Sequence, residues 1–131
     1  MKEEKSMGKS IPKKKKLPKL GKLQKECDTL MQQVGKKIYK NSILGGPTQV
    51  MHHLIPKSVS ARLRYDWENL IPLTNAQHCR LHQSPDDETV VQIIKAKGGI
   101  EWYEKLRKIG RETIKVTRDY YLSVKEILEK L

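Results

Sequence analysis

Two segments of the chain, residues 50–55 and 69–82, read VMHHLI and NLIPLTNAQHCRLH. The first is short, apolar and partly β-branched, and it stops before Pro56, which favours a β-strand. The second opens with a similar run at 69–73, which predicts a second strand. Because Pro72 has no backbone N–H, this second strand should lie at a sheet edge or end early. The two segments therefore predict a small two-stranded sheet.

All four histidines of the chain fall in these segments: His52, His53, His78 and His82. Asn75 is a favourable N-cap for a short helix that ends near His82. His78 and His82 are four residues apart, so both rings should leave one helix face and could hold one metal ion. His52 and His53 are adjacent on a strand and point to opposite sides, so at most one of them readily joins that ion. The other stays free as a proton acceptor, as a metal-dependent hydrolase requires.

The sequence also carries a recognisable series of motifs. It reads MHHLIPKS at 51–58 and LRYDWENLIPL at 63–73, followed by His78 and His82. With these motifs in this order, the chain resembles the HNH endonuclease family, and most of all its small phage-type members. The resemblance covers about residues 49–84. It implies a ββα-metal core, in which two strands, a connecting loop and a helix surround one divalent cation, and it implies hydrolysis of DNA.

The resemblance also implies a role for each matching residue. His52, His78 and His82 match the metal ligands, and His53 matches the general base that activates water. Asn69 matches the middle asparagine of the family, which ties the loop and orients the ring of the base. General-base catalysis of this kind contributes roughly 10²–10⁴ in rate.

Three imidazoles without a carboxylate form a borderline-soft metal site. Such a site favours Zn, Ni, Mn or Co over Mg, which prefers oxygen ligands and is the less favoured candidate. Many HNH relatives carry two Cys-x-x-Cys pairs that bind a structural zinc. This chain has only Cys27 and Cys79, so we expect no structural zinc and interpret both thiols as small buried apolar groups.

Four basic residues near the motifs are candidate nucleic-acid-binding residues: Arg64, Arg62, Lys57 and Arg80. A guanidinium fork suits a phosphate well, so Arg64 is interpreted as a phosphate clamp. The alternative for Arg64 is a salt bridge to Asp66 or Glu68. Trp67 is expected to pack in the core behind the metal site.

The rest of the chain predicts helices around this core. Apolar residues at steps of three and four predict one helix over 23–40. Three more are expected over 85–131, where Val91 and Ile127 belong to the apolar faces. The first would open at a capping box at 84–87, and the third would run from about 112 to 130. The expected fold is therefore α+β and mostly helical, with one HNH domain over 23–131.

The chain has 131 residues and a formal net charge of +12, which points to a polyanionic partner, here DNA. Ten lysines fall in residues 1–25, so 1–22 is expected to be a disordered lysine-rich tail, with a role in phosphate binding or solubility left open. No apolar run is long enough for a membrane span. The few cysteines suit a reducing, intracellular setting, and the resemblance implies a bacterial or phage-infected cytoplasm.

Two functions remain open at this point. The first is a metal-dependent DNA endonuclease that either nicks one strand or cuts both. The second is a non-catalytic nucleic-acid-binding module, in which the histidines hold a structural metal closed by four protein ligands. Adjacent histidines on one strand make such closure awkward, which favours the endonuclease. The oligomeric state cannot be inferred from the sequence.

Overall fold

The computed structural model describes residues 17–83 and 88–131. Within them the chain is α+β and mostly helical, as predicted, and none of the described helices has the length and apolar character to cross a membrane. Most of the predicted tail and the predicted capping box at 84–87 lie outside the described residues. In chain order the elements are α1 (Leu20–Ile38), β1 (Val50–His53), a 3-10 turn (Trp67–Asn69), β2 (Leu70–Leu73), α2 (Asn75–Gln83), α3 (Glu88–Lys97), α4 (Ile100–Gly110) and α5 (Arg118–Glu129).

The two strands pair antiparallel, with His52 opposite Ile71 and His53 opposite Leu70. Side chains alternate between the faces of a strand, so this register puts the two histidines on opposite faces. One face packs against α1 and α5 through the cluster Met31, Val34, Met51, Leu70 and Leu128. The other packs against α2 and α3 through the cluster Ile71, Leu73, Leu81 and Ile93. His52 therefore lies on the α2 face, and His53 lies on the α1 face.

Helix α1 holds β1 in place along the free edge of that strand. The side-chain amide of Gln32 donates to the backbone carbonyl of Met51 at 2.7 Å and accepts from the Met51 N–H at 3.0 Å. Gly35 is also essential to this contact, because a Cβ at that position would overlap the Met51 side chain. The backbone immediately before His52 is thus fixed by a side chain and a close approach from α1.

The start of α2 differs from the prediction. The expected N-cap, Asn75, is the first helical residue, and Thr74 does the capping instead: its hydroxyl oxygen accepts from the Gln77 N–H at 3.1 Å. In return, the Gln77 side-chain oxygen accepts from the Thr74 N–H at 2.9 Å. This reciprocal pair is a capping box, and the sequence TNAQ at 74–77 fits its pattern. The buried Gln77 amide also donates to the Gly45 carbonyl, which joins the 41–47 loop to the helix that carries His78.

The outer helices depart from the predictions at their ends and on their exposed faces. Helix α1 begins at Leu20, inside the predicted tail, and packs on α5 through Leu23, Cys27 and Tyr121. Helix α5 begins only at Arg118, because the Thr117 hydroxyl caps it there. Ile127 and Val91, predicted to face inward, are 61% and 52% exposed. Periodicity locates such helices, but it does not say which of several apolar residues a small core can cover.

Candidate metal centre and adjoining cavity

His52 from β1 and two histidines from α2 converge at one point. The ring centroid of His52 lies 5.0 Å from that of His78 and 6.0 Å from that of His82. The Nε2 atoms of His78 and His82 are 3.0 Å apart. One ligand atom from each of the three rings lies within 4.8 Å of the others, so the three histidines are close enough to bind a metal ion.

Burial keeps two of these rings in the form that binds metal. Burial, together with charge repulsion from the rings of His78 and His82, lowers the pKa of His52 to about 4. Burial and then repulsion from His82 also lower the pKa of His78. Both rings are therefore neutral at pH 7 and have lone pairs available. Three imidazole nitrogens are a donor set that fits a divalent cation of the Zn, Ni, Co or Mn kind.

His53 is absent from the cluster and has a different partner. Its Nε2 lies 2.9 Å from the backbone carbonyl oxygen of Arg64. A carbonyl oxygen can only accept a hydrogen bond, so Nε2 carries the proton and Nδ1 is the atom with the lone pair. Burial lowers the pKa of His53, although the hydrogen bond to Arg64 acts in the opposite direction. The ring is therefore a neutral base at pH 7 with a fixed tautomer.

A cavity of about 330 Å³ joins the metal cluster to His53. It lies at the free edge of β1, beside Gln32, so side chains from both faces of the strand reach it. Its lining includes all four histidines, together with Lys57 from the loop that follows β1. The His53 ring and the three convergent rings of the cluster thus share one space open to solvent.

Asn69 is fully buried and ties the two ends of the loop between the strands. Its side-chain oxygen accepts from the Ile55 N–H at 2.8 Å, and its NH₂ group donates to the carbonyls of Ile55 at 3.0 Å and Leu63 at 3.4 Å. No hydrogen bond joins it to His53 within the described residues. The His53 ring is held by Arg64, the residue directly after Leu63. Asn69 thus ties the loop that carries the Arg64 carbonyl, to which the His53 ring is hydrogen-bonded.

Arg64 binds a carboxylate from α1, which neither sequence interpretation anticipated. Its Nε and Nη2 donate to the two carboxylate oxygens of Asp28 at 3.0 Å and 2.6 Å, and the Tyr65 hydroxyl donates to the same carboxylate at 2.9 Å. Although burial alone would raise it, the hydrogen bonds from Arg64 and Tyr65 lower the pKa of Asp28. The Arg64 guanidinium, expected to bind a phosphate, is bonded to Asp28 within the fold. It fixes the backbone whose carbonyl holds His53.

The other three basic candidates have different surroundings. Arg62 forms salt bridges to Asp66 at 3.1 Å and Glu112 at 3.4 Å. Lys57 and Arg80 are exposed, and among the described residues neither has a carboxylate partner. Cys79, predicted to be buried, is exposed, whereas Cys27 is buried as expected.

Sequence reasoning missed three residues that build this site: Gln32, Asp28 and Gln77. Gln77 belongs to a visible capping-box pattern and could have been found. Gln32 and Asp28 lie on α1, and the sequence carries no signal for the way that helix docks on the sheet.

No protein-family model matches the chain, and comparisons with curated proteins and with solved structures also give no match. The arrangement of side chains around this cavity is therefore the basis on which a function can be assigned.

Proposed function

We propose that this chain is a metal-dependent endonuclease of the HNH type, which hydrolyses phosphodiester bonds in DNA. The observation that carries the proposal is the division of labour among the four histidines. Three rings converge closely enough for one cation, while the fourth lines the same cavity with its Nε2 bonded to a carbonyl and with no hydrogen bond from a described residue to its Nδ1. The motifs at 51–58 and 63–73 support assignment to the HNH family.

His52, His78 and His82 would hold the cation. Their nitrogen donors favour Zn, Ni, Mn or Co, with Mg less suited to the site. When bound, the cation supplies positive charge that stabilises the negative charge developing on phosphate oxygens.

His53 performs the proton transfer. Its Nδ1 accepts a proton from a water molecule as the water oxygen bonds to phosphorus in line with the leaving 3′ oxygen. As the P–O3′ bond breaks, the 3′ oxygen takes a proton from solvent. The Arg64 carbonyl accepts a hydrogen bond from Nε2 throughout, so it orients the ring and stabilises the imidazolium that forms.

The charge of the chain supports nucleic acid as the substrate class. A net charge of +12 favours a polyanion, and Lys57 brings one exposed ammonium group to the cavity itself. We assign phosphate contacts to Lys57 and Arg80. Arg64 and Arg62, which are engaged with carboxylates, take positioning roles within the fold.

The non-catalytic alternative requires a fourth protein ligand to close the metal site. Within residues 17–83 and 88–131 the cluster comprises three histidines and no cysteine or carboxylate. Three protein ligands leave coordination positions for water and phosphate oxygen, and the described residues supply three, which favours catalysis over a purely structural role.

A plasmid assay tests the proposal. The purified full chain should convert supercoiled DNA to relaxed circles, if it nicks, or to linear product, if it makes paired cuts, in the presence of Mn²⁺, Ni²⁺, Co²⁺ or Zn²⁺. EDTA should stop the reaction, and restoring the metal should recover it. Cleavage at an undiminished rate in EDTA, or no cleavage with any of these metals or with Mg²⁺, would contradict the proposal.

A further inference from the structure

A second cavity adjoins the proposed catalytic one. It has a volume of about 260 Å³ and lies between the loop after β1 and the C-terminal half of α4. Its floor is apolar and includes Ile55, Pro56 and Val59, and Val59 is 69% exposed. Pro56 also lines the cavity that contains the histidines, so the two spaces meet at this residue.

The rim of this second cavity is aromatic and basic. Tyr103, Arg107 and Arg111 line it, and the Arg107 guanidinium lies over the Tyr103 ring, 5.8 Å from the centroid. Among the residues that the structure describes, no acidic side chain contributes to the lining. The cavity therefore offers positive charge and an aromatic ring beside an apolar floor.

These arginines differ from the two in the loop between the strands. Arg62 and Arg64 each bind a carboxylate. In the described parts of the chain, neither Arg107 nor Arg111 has a carboxylate within ion-pair distance. Their guanidinium groups are exposed, so they are available to an anionic ligand.

We propose that this second cavity binds one nucleotide of the substrate strand, next to the scissile phosphate. Arg107 and Arg111 bind its phosphate, and its nucleoside packs on the apolar floor against Val59. This inference rests on the proposed function, because the two cavities then receive successive positions of one DNA strand across Pro56. It extends the substrate-binding surface to α4, which lies outside the segment that resembles HNH nucleases.

The chemistry of a nucleotide matches both parts of the cavity. A phosphodiester pairs with a guanidinium fork through charge-assisted hydrogen bonds. A sugar or an unstacked base gains from contact with apolar and aromatic side chains, as in single-strand-binding grooves. A free anion would leave the apolar floor without a partner, and an apolar ligand would leave the two arginines without one.

The test is DNA binding by the full chain carrying His53→Ala, with Mn²⁺ present, so that substrate is bound without being cut. Affinity for a labelled oligonucleotide is measured from 50 to 200 mM salt. Adding Arg107→Ala and Arg111→Ala should weaken binding by about tenfold or more and lower the slope of log affinity against log salt by about 1 to 2. The matched control is Lys105→Ala with Lys108→Ala, which removes two charges from the same helix outside this cavity. It should leave the slope unchanged.

A second pair of variants tests the apolar floor. Val59→Glu places a carboxylate where the nucleotide should bind and should weaken binding by about tenfold through like-charge repulsion. Val91→Glu makes the same change at another exposed valine, on α3, which does not line this cavity. This control should weaken DNA binding far less than Val59→Glu does.

The outcomes separate this inference from the proposed function. If the parent protein binds DNA and the cavity variants behave like their controls, the nucleotide site on α4 is wrong and the endonuclease proposal stands. If the parent protein fails to bind DNA at every salt concentration, both are wrong. Weaker DNA binding in the cavity variants, with no change in their controls, supports the nucleotide site on α4.

Discussion

His53→Ala should reduce the rate of DNA cleavage by about 10²–10⁴ while leaving metal binding and DNA binding intact. The ring lines the cavity next to the cluster of three histidines but, among the described residues, is not part of that cluster. Its removal therefore takes away the proton acceptor and leaves the three convergent rings in place. The measurement is single-turnover cleavage of supercoiled plasmid, with DNA affinity and metal affinity determined on the same preparation.

Two comparisons make this result interpretable. Cys79→Ala changes an exposed side chain on α2, beside the proposed ligand His78, and should cleave at the normal rate. Added imidazole should restore part of the activity of His53→Ala if the lost group is a proton acceptor. A variant that lacks His53 and still cuts DNA at the normal rate would overturn the assignment of the base.

Asn69→Ala should lower the free energy of unfolding by about 2–5 kcal/mol, a large share of the stability of a domain of this size. The side chain is fully buried, and its amide satisfies the Ile55 N–H together with the carbonyls of Ile55 and Leu63. Alanine leaves the Ile55 N–H and carbonyl without this partner, whereas the Leu63 carbonyl keeps the hydrogen bond that it accepts from the Asp66 N–H at 3.2 Å. Urea denaturation, followed by the fluorescence of Trp67 and Trp102, measures the change.

The control for this variant is Asn75→Ala. Asn75 is exposed in the first turn of α2, and the cap of that helix is made by Thr74, so the substitution should change stability by less than about 0.5 kcal/mol. An equally small effect of Asn69→Ala would show that the loop between the strands does not depend on this amide. Its proposed part in positioning His53 would then fail as well.

The metal cluster could be predicted because its geometry is local. Two histidines four residues apart on any α-helix share a face, and adjacent residues on a strand diverge, so geometry predicts that one of His52 and His53 joins His78 and His82. The resemblance to HNH nucleases assigns that position to His52. The register that puts His52 opposite Ile71 comes from the structure.

The support of His53 could not be predicted, because it depends on how α1 docks. Arg64 and Asp28 are 36 positions apart, and many carboxylates in this charged chain are equally plausible partners for one arginine. The same reason explains the exposed Ile127 and Val91. Periodicity marks both as apolar positions of helices, but only the packed structure decides which of them the core covers.

The most direct test of the metal site is a calorimetric titration with Zn²⁺ or Ni²⁺. The protein used must carry no histidine tag. We expect one equivalent of metal to bind to the wild-type chain and equally to His53→Ala. His78→Ala should weaken that binding by more than about 100-fold, because it removes a ligand rather than a supporting group. Absence of saturable binding, or the same affinity in wild type and His78→Ala, would contradict the convergence of His52, His78 and His82 on one cation.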